Sequence, residues 1–382
     1  MPRPVWLEIN LDHLAHNIQE VRRLVEGKAL ITAVIKADGY GHGAVAIGQT
    51  LLDNGADRFA VATLSEAVEL RMAFESVEIL VLGYTPEEDF PLAEEQGIIL
   101  TLYDYDQAAF LVGNHPAVKV HLKVDTGMSR LGFRPEDPLL VKTATLKGLN
   151  IEGIYTHFAK ADEEDPSFTM VQIDRFNRVL SRLEALGVDI PIRHVANSAG
   201  IIEFPMVRYD YDMVRAGIML YGLYPSKEVD RETVRLRPVM ALKARAALVK
   251  TIHQGDGVSY GLTYTAAGDQ QVVTLPLGYA DGLTRMLSGR GQVSFKGERR
   301  DILGRICMDQ CVMDGEGLEI RQGDTVEIFG EDIPVEEIAD ALGTINYEIV
   351  CMMSKRIPRV YIKGGVVVDT VDYIQKLSQK RK

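Results

Sequence analysis

Short runs rich in β-branched residues alternate with longer amphipathic stretches from about residue 10 to residue 225 of this 382-residue chain. Such alternation is typical of βα units, which build a parallel sheet. Eight runs are present: LITAVIK (30–36), FAVAT (59–63), EILVLGY (78–84), IILTL (98–102), VKVHLKVD (118–125), IEGIYTHF (151–158), IRHVAN (192–197) and DMVRAG (212–217). Eight parallel strands close a barrel, so the sequence predicts an α/β fold with an N-terminal (β/α)8 (TIM) barrel.

Apolar positions at helical spacing lie between these runs. Two such sets are Leu14, Ile18, Val21 and Val25, and Ile173, Phe176, Leu180 and Leu183. Asp12 precedes the first set and is expected to cap that helix. The first predicted helix therefore comes before the first barrel strand.

The pattern changes after about residue 235, where short alternating segments are separated by glycine turns. Examples are ALKARAALVKTI (241–252) and VVTLPLGYA (272–280). Alternation with period two predicts strands, whereas VEEIADALG (335–343) predicts one short helix. We expect a barrel over residues 10–235 and a mainly β C-terminal domain over 236–382. The alternating segment RPVWLEI could join either domain, and we assign residues 1–9 to the C-terminal one.

Charge and cysteine content narrow the functional classes. The net charge of −12 opposes nucleic-acid binding, which needs concentrated Lys and Arg. The sequence has neither the apolar core of a signal peptide nor an apolar run long enough to span a membrane. Three cysteines cannot all pair with one another, which favours a reducing compartment. The cytoplasm is the expected location.

Polar residues stand where several predicted strands end, at the barrel rim that carries the site in enzymes of this fold. They are Lys36, Lys123, Asp125, Arg130, His157, Asn197, Ser198 and Arg215. A single lysine at the end of a strand is more often a solvated surface charge. In an apolar setting, however, Lys36 is more readily neutral, and a neutral amine forms imines with carbonyls. This chemistry suggests an aldolase or an enzyme that uses pyridoxal 5'-phosphate (PLP).

A phosphate group would need backbone N–H donors and hydroxyls, which barrels usually supply after strands 7 and 8. The segment HVANSAG (194–200) supplies Ser198 and a helix-start signal, and RAGIMLYG (215–222) supplies Gly217 and Ile218. The sequence NSAG alone is an ordinary helix cap. Because these residues share a rim with Lys36, they predict a phosphate site.

Eight segments together resemble alanine racemase, in order along the chain. They are AVIKADGYGHG, KVDTGMSRLGF, YTHFAKADE, HVANSAG, VRAGIMLYGLYP, VSYGLTYT, LPLGYADG and LGRICMDQC. The resemblance implies a PLP-bearing barrel followed by a β-rich domain. It also implies a head-to-tail homodimer in which each active site receives residues from both subunits.

Residue roles follow from this resemblance, position by position. It implies that Lys36 binds PLP through an imine and that Lys36 and Tyr260 are the two catalytic bases, with Tyr260 reaching the partner's site. The implied cofactor-binding set is Lys36, Tyr40, His157, Ser198, Arg215, Gly217 and Ile218. Arg130 and the backbone N–H of Met308 would bind the substrate carboxylate. The implied supporting set is Lys123, often carbamylated, with Asn197, Tyr279, Cys307, Asp309 and Lys355.

The implied reaction interconverts L-alanine and D-alanine, and D-alanine would serve as a peptidoglycan precursor. Related barrel decarboxylases place an acidic residue at the pyridine nitrogen, so Arg215 favours a racemase. Ser129 replaces a more familiar glycine and Lys355 a more familiar tyrosine, which leaves serine or broader specificity open.

Two other classes also stay open. A non-catalytic PLP-binding protein would be expected to stop after the barrel, whereas this chain continues for about 150 residues. A structural interaction protein would have no reason to gather these polar residues on one rim. The CMDQC segment (307–311) lacks a second ligand pair at suitable spacing and does not predict a metal site. Cys351, in YEIVCMM, is expected in the core.

Overall fold

Eight parallel strands follow a first strand, β1 (Val5–Asn10), in a computed structural model that describes residues 3–375. They are β2 (Leu30–Val34), β3 (Arg58–Val61), β4 (Ile79–Val81), β5 (Ile99–Leu102), β6 (Lys119–Lys123), β7 (Asn150–Tyr155), β8 (Ile192–His194) and β9 (Met213–Ala216). Each strand overlaps one of the eight predicted runs. Most of their residues are buried, as expected for a parallel sheet covered by helices.

The strand order produces a nearly closed barrel. Neighbours pair in parallel from β2 through β8, and β9 pairs with β2. The remaining seam between β8 and β9 has backbone hydrogen bonds from Asp212 N to Arg193 O (2.9 Å) and from Arg215 N to Ala196 O (3.1 Å). The predicted barrel is confirmed.

Helices connect the barrel strands. They are α1 (Leu11–Val25), α2 (Lys36–Tyr40), α3 (Ala44–Asp53), α4 (Leu64–Arg71), α5 (Phe90–Glu95), α6 (Tyr105–Asn114), α7 (Pro138–Ala144), α8 (Ser167–Ala185) and α9 (Ser198–Glu203). The cap expected at Asp12 was wrong, because Asp12 lies inside α1. Asn10 Oδ1 instead accepts hydrogen bonds from the backbone N–H groups of Asp12 and His13, both at 3.0 Å.

The C-terminal part is mainly β, as predicted. Its elements are β10 (Met240–Arg245), β11 (Leu248–Ile252), β12 (Gly257–Val258), β13 (Tyr264–Thr265), β14 (Gln270–Leu275), β15 (Gln292–Phe295), β16 (Glu298–Leu303), β17 (Cys311–Asp314), β18 (Thr325–Phe329), α10 (Val335–Leu342), α11 (Asn346–Cys351), β19 (Arg359–Lys363) and β20 (Val366–Val371). Strand β1 pairs antiparallel with β10 and parallel with β19. The predicted helix at 335–343 is α10, and Gly343 follows it in the left-handed conformation.

The described chain divides into two compact units. The first, called the barrel unit, contains Leu14–Gly39 and Ala44–Arg237, and the second, called the β unit, contains residues 3–13, Tyr40–Gly43 and 238–375. The short segment Tyr40–Gly43 therefore groups with the β unit although the barrel unit surrounds it in sequence. The ends of the predicted domain ranges, residues 1–2 and 376–382, lie outside the described residues.

Cys351 corrects one expectation from the sequence. It is exposed at the end of α11, whereas the preceding Ile349 and Val350 are buried. A helix turns about 100° per residue, so neighbours in an apolar run need not share the buried face.

Across residues 3–375, no helix is both long and apolar enough to span a bilayer.

Candidate active site

Lys36 follows β2 at the rim of the barrel and begins a left-handed turn. Residues 37–39 have φ angles of 52°, 54° and 62°, a conformation that costs a non-glycine residue about 1–2 kcal/mol. Two carboxylates hold this turn: Glu66 accepts from Ala37 N (2.6 Å), and Asp38 accepts from Ala44 N (3.0 Å). The chain after Lys36 is thus fixed in a strained conformation, as is common at functional sites.

Arg215 lies in β9 and is only 2% exposed. Its Nη1 donates to His194 Nδ1 (2.8 Å), and its Nη2 donates to Thr156 O (2.9 Å), Val195 O (3.1 Å) and His157 Nδ1 (3.2 Å). Within residues 3–375, its Nε has no hydrogen-bond acceptor. Burial lowers the pKa of Arg215 to about 10, so the guanidinium remains a cation at neutral pH with one donor to spare.

His157 lies two residues beyond β7 in a strongly positive environment. Its pKa is well below the usual value; burial is the largest cause, followed by the charges of Arg215, Lys123, Arg130 and Lys36. The ring is therefore neutral at physiological pH. The two guanidinium cations near this neutral imidazole, those of Arg215 and Arg130, make the site suited to an anionic ligand.

Lys123 ends β6 and is buried, with its Nζ 4.4 Å from the centroid of the Tyr155 ring. Its pKa is well below the usual value, because of burial first and then the charges of Arg215 and Arg130, which Asp125 partly opposes. Desolvation therefore shifts Lys123 toward its neutral, nucleophilic form.

The loop after β6 carries Arg130, which is exposed. Asp125 Oδ1 holds this loop by accepting from Gly127 N (3.0 Å) and Ser129 N (2.9 Å). Ser129 has a φ of 58°, in the left-handed region that glycine adopts most readily. The turn thus takes a conformation favourable to glycine, although serine occupies the position.

Ser198 connects the two turns predicted to bind phosphate. Asn197 caps α9 by accepting from Gly200 N (2.9 Å), and Ser198 Oγ accepts from Gly217 N (2.9 Å). Ile218 starts the 3-10 turn that follows Gly217. The first N–H groups of such helical turns have no intrahelical acceptor and are suited to anions.

Two predicted site residues, Tyr40 and Lys355, lie in the β unit. The Tyr40 ring is buried 6.2 Å from the Tyr347 ring, and burial raises the pKa of Tyr40 well above its usual value. Lys355 Nζ lies 4.9 Å from the centroid of the Tyr373 ring. Tyr40 is therefore a neutral hydroxyl that can donate a hydrogen bond, and Lys355 has an aromatic partner.

A pair of loops in the β unit carries further predicted residues. Tyr279 N donates to Cys307 O and Ala280 N donates to Met308 O, both at 3.0 Å. A Cβ at Gly278 would lie 2.1 Å from Cys307 O, so this close approach requires glycine. The Met308 side chain is 52% exposed.

Tyr260 lies on a neighbouring turn and is 72% exposed. The preceding Ser259 has a φ of 65°, and its hydroxyl lies 3.2 Å from Cys307 Sγ. Asp309 pairs with Arg356 at 2.8 Å. The turn that carries Tyr260 is thus tied to the loop that carries Met308.

The barrel unit brings together nine of the predicted residues: Lys36, Lys123, Arg130, His157, Asn197, Ser198, Arg215, Gly217 and Ile218. The β unit contains Tyr260, Tyr279, Cys307, Met308 and Asp309, together with Tyr40 and Lys355. Sequence reasoning missed His121, His194 and Glu152, which extend the contacts of Arg215. The sequence feature that could have identified them is that each is a polar residue within a predicted buried strand.

Comparisons with known proteins cover both units. A family profile described as "Alanine racemase, N-terminal domain" matches residues 9–225, and one described as "Alanine racemase, C-terminal domain" matches residues 239–361. An alanine racemase from Desulforamulus reducens is 50% identical over 371 residues, covering 95% of this chain and 100% of the relative. Another from Methanococcus maripaludis is 46% identical, covering 94% and 99%.

Solved structures agree with this match. An alanine racemase from Clostridium difficile 630 has a TM-score of 0.94 at 40% identity, covering 98% of this chain and 100% of that one. An alanine racemase from Bacillus anthracis with bound L-Ala-P has a TM-score of 0.93 at 36% identity, covering 98% and 99%. The likeness therefore extends over both units in sequence and in fold.

Proposed function

This chain belongs to the alanine racemase family, and from that premise we infer that it interconverts L-alanine and D-alanine with PLP as its cofactor. The observation that carries the inference is Arg215. It is a buried cation whose Nη atoms are already bonded and whose Nε remains available. A permanent donor here suits an unprotonated pyridine nitrogen, whereas a decarboxylase of this fold would be expected to place a carboxylate there.

The barrel unit offers groups that fit PLP. Lys36 would bind the cofactor carbonyl, and the guanidinium cations of Arg215 and Arg130 would balance its negative charge. Ser198 and the N–H groups of Gly217 and Ile218, with Tyr40, would bind the phosphate. When bound, PLP supplies the electron sink that allows an amino acid's α-carbon to release its proton.

Racemisation requires one base on each face of the α-carbon. We assign these roles to Lys36 Nζ and Tyr260 Oη, each of which accepts a proton on one face and returns one in the reverse direction. Arg130 and the backbone N–H of Met308 would hold the substrate carboxylate. The exposure of Tyr260 and Met308 leaves both accessible to a bound ligand or a partner.

The proposed assembly is a homodimer in which the β unit of one subunit completes the site of the other. Tyr260, Tyr279, Cys307, Met308 and Asp309 would belong to this contributed part, and the domains would divide at residues 235 and 236. We place the reaction in the cytoplasm, where it would supply D-alanine for peptidoglycan.

Serine or broader specificity is the second candidate function. It is favoured by Lys355, where a tyrosine is more familiar and where this chain places a cation against the Tyr373 ring. A changed side chain beside a methyl pocket alters discrimination between alanine and a hydroxylated analogue by a modest factor.

The test is incubation of the PLP-loaded protein with L-alanine in D₂O, with L-serine in parallel. D-Alanine carrying α-deuterium, detected by chiral chromatography and loss of the α-proton NMR signal, is the expected product. Faster conversion of serine would assign the second function, and unchanged L-alanine and L-serine would reject both.

A further inference from the structure

A continuous chain of hydrogen bonds runs through the barrel interior from Arg215 to Glu152. Arg215 Nη1 lies 2.8 Å from His194 Nδ1, and His194 Nε2 lies 2.8 Å from His121 Nδ1. His121 Nε2 in turn lies 2.9 Å from Glu152 Oε2. Both histidines are completely buried. Glu152 lies near the start of β7, toward the opposite end of the strand from the site rim.

The groups at the two ends of this hydrogen-bond series, Arg215 and Glu152, determine which ring nitrogen of each histidine carries the proton. A guanidinium can only donate, so His194 Nδ1 must be the acceptor and the proton of that neutral ring must be on Nε2. His194 therefore donates to His121 Nδ1, which places the proton of His121 on its own Nε2. That N–H requires an acceptor, and an ionised carboxylate can only accept. Glu152 is therefore the terminal acceptor of this series of hydrogen bonds.

The ionisation of each group agrees with this order. Burial lowers the pKa of His121 and of His194, and the charge of Arg215 lowers both further. Glu152 raises the pKa of His121 but does not offset the effect of burial, so both rings are neutral. Burial alone would raise the pKa of Glu152, but hydrogen bonds from His121 and Arg58 outweigh it and lower the pKa to about 2. Glu152 is therefore ionised throughout the physiological range.

Packing fixes the ring planes as well. Tyr155 stacks on His194 with centroids 4.7 Å apart and an interplanar angle of 8°. A Cβ at Gly153 would lie 2.6 Å from the His121 ring, so this position must be glycine for the ring to fit. Neither imidazole can turn over without losing its partners.

We propose that Glu152 is a positioning residue for the reaction, acting on Arg215 through His121 and His194 by fixing which nitrogen of each ring carries the proton. This inference rests on the proposed function, because it concerns the arginine assigned to the cofactor's ring nitrogen. If His194 carried its proton on Nδ1 instead, two donors would face each other and Arg215 would be displaced.

The test combines nitrogen-15 histidine NMR with nitrogen-15 labelling of the PLP ring in the holoenzyme. Wild type should show protons on Nε2 of His121 and His194, assigned with His121→Asn and His194→Asn. Glu152→Met removes the acceptor and should disturb the His121 pattern and shift the signal of the PLP ring nitrogen. A displaced Arg215 should lower kcat by up to about 10²-fold, with a smaller change in KM.

Two further variants separate positioning from general destabilisation. Lys119 pairs with both Glu152 (3.3 Å) and Glu78 (2.7 Å), but within residues 3–375 Glu78 has no histidine partner, so Glu78→Met is the matched control. It should leave the histidine and cofactor signals unchanged. Glu152→Gln retains an acceptor oxygen without the charge and should restore the wild-type histidine pattern. It also provides the test if Glu152→Met does not fold.

Defined outcomes would overturn the proposal. They are wild-type histidines protonated on Nδ1, a Glu152→Met protein with unchanged histidine and PLP signals, or loss of the pattern in Glu152→Gln. Failure of the proposed function can be distinguished from failure of this positioning role, because it would leave the Nε2 protonation pattern of the histidines intact while alanine was not racemised.

Discussion

Burial affects Arg215, Lys123 and His157 in the same direction but leaves them in different charge states. All three have lowered pKa values, and desolvation is the largest cause in each case. Arginine starts so high that a pKa of about 10 still leaves it charged, whereas histidine starts near about 6.5 and becomes neutral. The same buried environment thus produces a fixed cation, Arg215, beside neutral groups that can accept or donate hydrogen bonds.

Lys123 should form a carbamate with dissolved CO₂. Its lowered pKa favours the neutral amine, which attacks CO₂ and releases a proton, and the resulting anion would face the positive charges of Arg130 and Arg215. Carbon-13 NMR in labelled bicarbonate should show a carbamate resonance that Lys123→Ala abolishes. Lys142→Ala, at a lysine on α7, should retain it. A wild-type spectrum without that resonance would contradict the prediction.

Tyr260→Phe should retain PLP and lower racemisation by about 10²–10⁴-fold, the usual contribution of one acid–base group. Because Lys36 remains, one enantiomer should still exchange its α-proton with D₂O without inversion. Tyr264→Phe is the control, since the hydroxyl of Tyr264 already donates to Gln270 at 2.6 Å. Normal racemisation by Tyr260→Phe would remove Tyr260 from the mechanism.

At the scale of secondary-structure elements, the local sequence pattern predicted the features that local sequence determines, namely the strands and their order. Strand runs and their order required only alternation and length, and a parallel barrel necessarily places Lys36, His157 and Arg215 near strand ends. The left-handed turn at residues 37–39 was missed because the hydrogen bonds that hold it, from Ala37 to Glu66 and from Ala44 to Asp38, join positions that short sequence patterns do not relate. The His121–His194 contact joins residues 73 positions apart, which no short pattern records.

The loop between β6 and α7 should be sensitive at Gly132. This residue has a φ of 127°, and a Cβ there would lie 2.6 Å from Asp125 N. Gly132→Ala should push the loop from the end of β6, raise KM for alanine through Arg130, and cost about 1–3 kcal/mol of stability.

Gly187→Ala supplies the control for that prediction. Gly187 also has a positive φ, 76°, but a Cβ there would meet no atom within 4 Å. Steady-state kinetics and chemical denaturation should therefore show a smaller loss of stability and an unchanged KM. Equal effects of the two variants would mean that backbone strain, and not the collision at Asp125, controls this loop.

For the whole molecule, the buried histidines predict a loss of stability in acid. The pKa values of His121, His157 and His194 are all lowered on folding, so the unfolded chain binds more protons below about pH 6.5. Each ring should then remove up to about 1.4 kcal/mol of stability per pH unit. Calorimetry should show Tm falling from pH 7.5 to 5.5, with a parallel curve for the exposed-site variant His253→Gln. A flat wild-type curve would contradict this assignment.

The proposed sharing of each site between two subunits predicts complementation between inactive subunits. Lys36→Ala removes a barrel residue and Tyr260→Phe removes a residue of the β unit, so a hybrid dimer would contain one site with both residues intact. Random pairing makes about half of the dimers hybrids, and activity should recover to about a quarter of wild type. Racemisation after co-expression and purification of the mixed dimers measures this recovery.

A second pair of inactive variants, which is expected not to complement, tests whether the β unit of one subunit serves the barrel of the other. Lys36→Ala and Arg215→Ala both alter the barrel unit, so every site of their hybrid retains one defect and the mixture should remain inactive. If Lys36 and Tyr260 of one site came from a single chain, the first mixture would also remain inactive. Recovery in the first mixture alone therefore requires that the β unit act on the partner's barrel, because no other arrangement separates the two defects.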